Sequence, residues 1–297
     1  MVITVTEAYI PESKKSGFLL KLWNNKVAPF HRNVIEHRHL QFEIVLFKSG
    51  NGIYTTKSGT YDIKAGDIFV FPSNEQHCIT DILGDQDFKF MNIHFEPQYV
   101  ISSKSGFSPE NSNVCFSHNE RFCNRLPRGN PHTEKIKSLL LEIEQEFEQK
   151  NAELELMVHN KIYEILVILV RSLDFGGEKE VTPEEYRKIK TVRKVMDYVN
   201  QNLSEELTLL QIANHSDLSP NYLSSMFKST VGVSLWDYVN SRRTERACVL
   251  LKDRNDLTML EIADLCGFNN SANFNKTFRR VMGMTPSDYR RLGEYIG

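Results

Sequence analysis

The chain contains an internal repeat, and this repeat constrains its fold more than any other feature of the sequence. The segment starting at Leu207 reads LTLLQIANHSDLSPNYLSSMFKSTVGVSLWDYV, and the segment starting at Leu257 reads LTMLEIADLCGFNNSANFNKTFRRVMGMTPSDYR. Matching positions lie 50 residues apart near the start of the two segments and 51 apart near their end. Self-similarity of this kind indicates two copies of one supersecondary unit.

Each copy predicts a helix-turn-helix unit, over about residues 207–230 and 257–281. Thr208 and Thr258 can each cap a short first helix. In the second copy the turn contains Gly267, which suits a left-handed backbone conformation. We expect the second helix of the unit to begin at Ser219 in the first copy, and at Asn269 or Asn270 in the second. Its outward face is polar, as in helices that enter the DNA major groove.

Helical hairpins are common in proteins that never contact DNA, so one unit alone would be weak support for DNA binding. Two copies with polar outward faces and trailing basic residues favour it. The segment 187–297 also carries 16 basic and 12 acidic residues, although the whole chain has 36 Lys and Arg against 38 Asp and Glu. A basic end on an otherwise acidic chain is typical of nucleic-acid binding.

The repeat resembles the DNA-binding region of the AraC/XylS family of bacterial transcription regulators. The matching features are the alanine in each first helix, the F-K or F-R pair ending each second helix, the following G-x-S/T, and the closing TPSDYR. The resemblance implies that the two recognition helices enter successive major grooves, roughly 34 Å apart. It also implies a cytoplasmic regulator, here predicted to be an activator, that contacts double-stranded DNA and RNA polymerase.

The resemblance assigns base contacts to one set of residues and phosphate contacts to another. The predicted base contacts are Asn221, Ser224, Ser225, Ser271, Ala272, Asn275 and Lys276. The predicted phosphate contacts are Lys228, Arg279 and Arg280. Asn can pair with adenine edges and Lys can reach guanine, whereas arginine, the commonest specific reader of guanine, is absent from the first set. Arg242 and Arg246, on the connecting helix, could form structural ion pairs or contact phosphates.

The first hundred residues predict a different kind of structure. Short runs rich in β-branched and aromatic residues, such as FEIVLF, GIYTT and FKFMNIHF, are separated by turn signals such as SGNG and KAGD. Closely spaced short strands predict an antiparallel sandwich or barrel. Residues 101–131 are polar and interrupted by Pro and Gly, and are predicted to be mainly loop.

Two amphipathic helices follow, within residues 133–173. The apolar stripe of the first is Ile136, Leu140, Ile143 and Phe147, and that of the second is Leu154, Val158, Ile162, Ile165, Leu166, Leu169 and Leu173. One apolar face is expected to pack on the barrel, and the remaining apolar width could form a homodimer interface. The predicted organisation is multidomain α+β: a barrel with its following loop (1–132), a helical hairpin (133–173), a linker (174–186) and an all-α DNA-binding domain (187–297).

The stretch EHRHLQFEIVLFKSG, at residues 36–50, resembles the first cupin motif from its histidines onward. A second motif is approximated by Gly66, Pro72, Asn74 and His77. Residues 30–95 therefore resemble the small cupin-like barrel that AraC-type regulators carry as their effector-sensing domain. Enzymatic cupins hold a divalent metal at four positions of these motifs, and the resemblance implies that His37, His39, Glu43 and His77 occupy those positions here.

Three interpretations of this cluster remain open. A catalytic cupin would bind Fe, Mn or Zn and leave open coordination sites. A sensor would bind metal without turnover. The third interpretation, which we favour, is a regulator without enzymatic activity in which these groups hydrogen-bond a small organic effector. The predicted effector pocket comprises His37, His39, Glu43, Val45, Phe47 and His77. Aromatic and polar groups together suit a carbohydrate. A ligand-independent activator is a further alternative.

Cysteine usage and the amino-terminal sequence bear on the compartment. The five cysteines are odd in number and include no CxxC pair. A disulfide framework or zinc ribbon is therefore not expected. The cysteine usage instead predicts a protein of the reducing cytosol. The first fifteen residues do not read as a signal peptide, and the most apolar helical stretch is too short and too charged for a membrane span.

Overall fold

The computed structural model describes residues 2–11, 18–27, 30–31, 39–73, 75–84, 87–95, 122–173, 175 and 182–294. The chain divides into two compact units, whose main segments are Phe18–Tyr186 and Arg187–Gly297. Across these described ranges, no helix is long and apolar enough to cross a membrane.

The first unit is built on two β-sheets. Its strands are β1 (Val2–Pro11), β2 (Phe18–Val27), β3 (Phe30–His31), β4 (Phe42–Ser49), β5 (Asn51–Thr56), β6 (Gly59–Ile63), β7 (Ile68–Phe71), β8 (His77–Leu83) and β9 (Phe88–Phe95). Sheet A has the order β1-β2-β9-β4-β7, and sheet B has the order β3-β8-β5-β6. The expected cupin-like β domain is confirmed, but over the described residues its strands form two sheets instead of one closed barrel.

Strand β4 separates two apolar cores, because successive side chains of a strand point to opposite faces. Its even-numbered residues belong to a core shared with the helical hairpin, and its odd-numbered residues face the space between the sheets. The first group is Phe42, Ile44 and Leu46, and the second is Glu43, Val45 and Phe47. Sheet A is therefore a common wall of both cores.

The hairpin consists of α1 (Pro131–Gln149) and α2 (Leu154–Ser172). The predicted stripe of α1 is buried, as are Val158, Ile162, Ile165, Leu166 and Leu169 of α2. Leu154 and Leu173 are partly buried against the same core. The prediction that one face of the hairpin packs on the β domain is therefore confirmed.

A short segment just before α1 fastens the edge of sheet A. The Val70 N–H donates to Asn124 O, and the Leu126 N–H donates to Ile68 O, both at 2.9 Å. Arg128 then binds the buried carboxylate of Asp67 through Nε and Nη2, each at 2.7 Å. The rest of the predicted loop, residues 101–121, lies outside the described residues.

The second unit is helical over its described residues. Its helices are α3 (Pro183–Gln201), α4 (Leu209–His215), α5 (Pro220–Val231), α6 (Leu235–Asp253), α7 (Met259–Leu265), α8 (Ser271–Met282) and α9 (Pro286–Glu294). Helix α3 begins inside the predicted linker 174–186, where Thr182 and Glu185 form reciprocal capping hydrogen bonds. The repeat corresponds to α4–α5 and α7–α8, with α6 connecting them.

The predicted caps are present in both helix-turn-helix units. Thr208 and Thr258 each form a complete capping box. Ser219 caps α5 and Asn270 caps α8. Each cap satisfies amide groups that the first turn of a helix cannot bond internally. These local bonds explain why the repeat could be parsed from its sequence.

Candidate effector and DNA-binding sites

A buried carboxylate forms the centre of a polar cluster between the two sheets. Glu43 is 1% exposed, and its Oε2 lies 2.8 Å from both His39 Nε2 and His77 Nε2. Its Oε1 accepts a hydrogen bond from Asn92 Nδ2 at 2.8 Å and lies 3.2 Å from His94 Nε2. Four polar side chains therefore converge on one anion in an otherwise apolar interior.

The other ring nitrogens limit the protonation of this cluster. His39 Nδ1 lies 3.1 Å from Gln41 O, and His77 Nδ1 lies 2.8 Å from Glu75 O. A carbonyl oxygen only accepts, so each Nδ1 carries a proton. Both Nε2 atoms then face one carboxylate oxygen, an arrangement that requires a shared cation or further protons on the rings.

Electrostatics in this cluster separate one histidine from another. Burial alone would raise the pKa of Glu43, but the facing imidazoles of His94, His77 and His39 outweigh it, and that pKa lies well below 4.5. Burial also opposes charge on His77, yet Glu43 outweighs this effect and raises the pKa of His77. For His94 burial dominates and lowers its pKa to about 3. The cluster thus places a neutral imidazole beside an ionised carboxylate.

Sequence reasoning missed two members of the cluster, Asn92 and His94. Both lie on β9, which pairs antiparallel with β4 so that His94 is opposite Glu43 and Asn92 is opposite Val45. The signal available in the sequence was the alternation of FKFMNIHF, which gives Asn92 and His94 the same parity. Their proximity to Glu43 depends on strand pairing, which the alternation does not specify.

Aromatic rings border the cluster. Phe71 stacks on His77 with centroids 4.1 Å apart, and Trp23 meets His94 edge-on at 4.4 Å. Of the other predicted pocket residues, Val45 and Phe47 are buried in the aromatic core between the sheets. His37 lies outside the described residues.

The described part of the predicted ligand set is compatible with a metal ion. One donor atom from each of His39, Glu43 and His77 lies within 4.8 Å of the others. Two imidazoles and a carboxylate are a ligand set used by zinc and iron. A cation at this point would also satisfy the two Nε2 atoms that face Glu43. His94 Nε2 approaches the other carboxylate oxygen, Oε1.

In the first helix-turn-helix unit, the predicted base-contact residues lie on the amino-terminal half of α5. Asn221 and Ser225 are exposed, and Ser224 is partly buried. Ser225 Oγ donates to Tyr222 O at 3.0 Å, so its hydroxyl is engaged with its own helix. Lys228 is exposed one turn further along.

In the second unit, the predicted residues Ser271, Ala272, Asn275 and Lys276 are all exposed on α8. Asn275 Nδ2 donates to Ser271 O at 2.8 Å, which engages one of its two amide hydrogens with its own helix. Arg279 is exposed, whereas Arg280 Nη1 binds Asp237 Oδ1 of α6 at 2.8 Å. Arg280 therefore links the recognition helix to the connecting helix.

Two arginines of α6 hold the helical unit together. Arg242 is 1% exposed, with Nη1 on Glu245 Oε2 at 2.6 Å and Nε on Asn200 Oδ1 at 3.0 Å. Of the two roles open to Arg242, the structure shows the structural ion pair. Arg243 donates to Leu203 O at 3.0 Å and to Glu205 O at 2.8 Å. The bonds of Arg243 were not predicted from the sequence.

Two family models match the chain. A model described as an AraC-like ligand binding domain matches residues 29–166, and one described as a helix-turn-helix domain matches residues 212–292. The first range contains β4, β8 and β9, and the second contains α5 to α8. The matches thus coincide with the two sites described above.

Similar curated proteins are transcription regulators. The HTH-type transcriptional activator RhaR of Mannheimia succiniciproducens is 24% identical over 255 residues, which cover 86% of each chain. The melibiose operon regulatory protein of Escherichia coli is 25% identical over 273 residues, which cover 87% of this chain and 84% of that protein.

The fold is similar to a solved structure along almost its whole length. ToxT of Vibrio cholerae, in a structure with bound unsaturated fatty acid, superposes with a TM-score of 0.57 at 16% identity. The match covers 95% of this chain and 97% of ToxT. It indicates a shared fold.

Proposed function

The chain belongs to the AraC family of DNA-binding transcription regulators, and from this premise we propose that it is a ligand-responsive activator without enzymatic activity. Its second unit reads DNA, and its first unit holds a small-molecule effector between the two sheets. The pair of capped helix-turn-helix units in one compact domain carries this proposal. The regulator acts in the cytoplasm, where its DNA is.

DNA recognition rests on α5 and α8. Both helices expose polar residues next to a capped amino terminus, and helix amino termini favour contacts with phosphates. Selection of the full-length protein on a randomised duplex library tests the assignment. We expect two conserved half-sites about one helical turn apart. A single conserved half-site, or no sequence preference, would contradict the use of both helices.

The hairpin is proposed to form a homodimer. Among the described residues, α1 and α2 expose three large apolar side chains, Leu141, Leu156 and Met157, at 38%, 55% and 41% of their surface. Light scattering of the wild type and of Leu156→Glu measures the mass directly. A dimer that becomes a monomer in the variant supports the interface, whereas a monomeric wild type refutes it. RNA polymerase is the expected partner on DNA.

The effector site is proposed to be the Glu43 cluster with its aromatic border. A ring such as Trp23 can stack on the C–H face of a sugar, and the histidines, Asn92 and Glu43 can bond hydroxyl groups. The melibiose operon regulatory protein among the similar proteins is consistent with a carbohydrate. We therefore propose a neutral sugar as the effector class.

A panel of mono- and disaccharides tests this effector class, with DNA affinity measured by fluorescence anisotropy. We expect one sugar to change affinity several-fold, and Trp23→Ala to abolish that response while basal DNA binding persists. Trp236→Ala is the matched control, because it removes the other tryptophan from the helical unit. If no sugar changes either DNA affinity or thermal stability, a ligand-independent activator becomes the better proposal.

Metal binding is the second candidate for the same site. It is favoured by the two Nε2 atoms directed at one oxygen of Glu43. A metal there could polarise a bound ligand, and the chain would contribute His39, Glu43 and His77 as ligands. Metal analysis of untagged protein purified without chelator decides the question. About one metal per chain that is lost in His39→Ala would establish a metal site, and turnover assays would then test the cupin-enzyme alternative.

The effector signal is proposed to reach the hairpin through sheet A. Lys48, on the same strand as Glu43, donates to Glu144 Oε2 of α1 at 2.6 Å and to Asn24 Oδ1 at 3.0 Å. A ligand switches the protein only if it binds one arrangement more tightly than another. Titrations of effector with and without DNA measure this coupling, and equal affinities would refute it.

A further inference from the structure

A cavity lies in the first unit, away from the proposed effector site. Its volume is about 230 Å³, and it is bordered by the β6–β7 turn, the segment preceding α1, and the first two turns of α1. Two of its lining residues, Ile68 and Leu126, belong to the core between sheet A and the hairpin. The cavity is therefore on the opposite face of sheet A from Glu43.

A buried hydroxyl group points to a missing ligand here. Thr133 lines the cavity and is 3% exposed, and its Oγ1 has no hydrogen-bond partner within the described part of the chain. Unsatisfied buried polar atoms are rare because each loses its hydration without compensation. A ligand that accepts a hydrogen bond from this hydroxyl would remove the cost.

The amino terminus of α1 adds donors to the same cavity. This helix has 19 residues, and Asn130 already accepts from the His132 N–H. The next amide, of Thr133, is one of those that a helix leaves without an internal partner. The helix dipole also favours a negative charge at this end.

Two lysines complete the positive environment. Lys64 Nζ and Lys137 Nζ each lie 3.7 Å from their nearest ion-pair carboxylates, those of Asp62 and Glu134, which is beyond hydrogen-bonding distance. Arg128 differs, because its guanidinium is held by Asp67 at 2.7 Å and by Asp62 at 3.1 Å. The lysines are thus the cations able to turn toward a ligand.

Lys64 and Lys137 both line the cavity, Lys64 from the β6–β7 turn and Lys137 from α1. Gly66 has a φ of +91°, and a Cβ added there would lie 3.4 Å from Lys137 Nζ. Lys137 Nζ therefore lies in van der Waals range of the turn that carries Lys64. The positive φ also makes glycine the residue best suited to this position.

We propose that this cavity binds a phosphoryl group through Lys64, Lys137 and Thr133. A tetrahedral oxyanion matches donors that approach from the turn, from the helix side chain and from the helix end. Asp67 does not oppose it, because Arg128 neutralises that carboxylate. The bound group joins the β6–β7 turn to α1, and so sheet A to the hairpin. It comes either from free phosphate or from a small organic phosphate.

Calorimetric titration of the full-length protein with inorganic phosphate, in a phosphate-free buffer, tests the site. We expect saturable binding that raises the melting temperature more than chloride at equal ionic strength does. Lys137→Gln should weaken binding at least about five-fold, because it removes a positive charge that attracts the anion. Glu134→Gln should strengthen binding about two-fold, because it removes a negative charge that repels the anion. Lys135→Gln is the matched control, because Lys135 pairs with Glu164 at 3.1 Å instead.

Thr133→Val separates ligand binding from folding. It should lose phosphate affinity while keeping or increasing the melting temperature without ligand, because it removes an unsatisfied buried hydroxyl. Tighter binding of glycerol phosphate than of phosphate would identify an organic source, and equal binding would identify free phosphate. Absence of binding by both, or equal loss in Lys135→Gln and Lys137→Gln, would overturn the proposal.

Discussion

Replacing Gly267 by alanine should disrupt the helical unit at one defined contact. Gly267 lies in the turn between α7 and α8 with a φ of +79°. A Cβ at this position would lie 2.1 Å from Leu203 O and 2.9 Å from Arg243 Nη2. Leu203 O also accepts the hydrogen bond from Arg243 Nε. The methyl group therefore displaces backbone and an arginine that holds the loop between α3 and α4.

Two separate costs make up the expected destabilisation. A left-handed conformation costs a non-glycine residue roughly 1–2 kcal/mol. Displacing close-packed atoms costs typically about 1–3 kcal/mol more. Gly283→Ala provides the control, because Gly283 has a φ of +73° and its added Cβ would meet no atom within 4 Å. Gly283→Ala should therefore cost only the conformational part, and Gly267→Ala about 2–5 kcal/mol in all.

Urea denaturation followed by tryptophan fluorescence measures this difference. The chain has two tryptophans, Trp23 in the first unit and Trp236 in the second. A Trp23→Phe background makes the signal specific for the helical unit. The Gly267→Ala transition should come at lower urea than that of Gly283→Ala, with similar slopes. Coincident transitions would refute the assignment of a steric contact between Gly267 and Leu203.

Three further predictions concern other parts of the chain. Lys276→Ala should change base preference at one or two positions by about 1–3 kcal/mol, whereas Arg279→Ala should weaken binding to all sequences. Uniform losses of affinity from both variants in a randomised-site assay would contradict this distinction. Burial raises the pKa of the Cys266 thiol to about 12. In the folded protein at pH 8, iodoacetamide should therefore label exposed Cys123 well before Cys266, and peptide mass spectrometry measures the order of labelling. Lys48→Met should destabilise the first unit by roughly 1–2 kcal/mol in thermal melts, because Glu144 loses a partly buried partner. Lys26→Met is the control, since it breaks an exposed pair with Asp87 and should cost less than about 0.5 kcal/mol.

The helical half of the fold was predictable because its signals are local. Thr208, Ser219, Thr258 and Asn270 cap helices through bonds to residues three positions away. The repeat then reinforced each assignment with a second copy. Arg243 shows where this reasoning stops, since its partners lie about forty residues earlier in the chain.

The β half was less predictable, because strand pairing decides which side chains come into contact. The sequence marked His39, Glu43 and His77 through motif spacing, but not His94, which reaches Glu43 only through the register of β9 on β4. Strands β1, β2, β3 and β8 were not singled out by composition. Closure of the sheets into one barrel was predicted wrongly for the same reason. Alternation of apolar and polar residues identifies the buried face of a strand, but it does not specify which edge strands hydrogen-bond to each other.

Strand β4 allows two properties of the protein to diverge independently. In the proposed effector site, changes at Val45 or Phe47 would alter the surface that faces the ligand, while Ile44 and Leu46 would continue to fill the core under the hairpin. Related regulators could therefore acquire new effectors through odd-numbered substitutions without redesigning how the helices dock. An inserted or deleted residue in β4 would exchange the two sets and damage both at once.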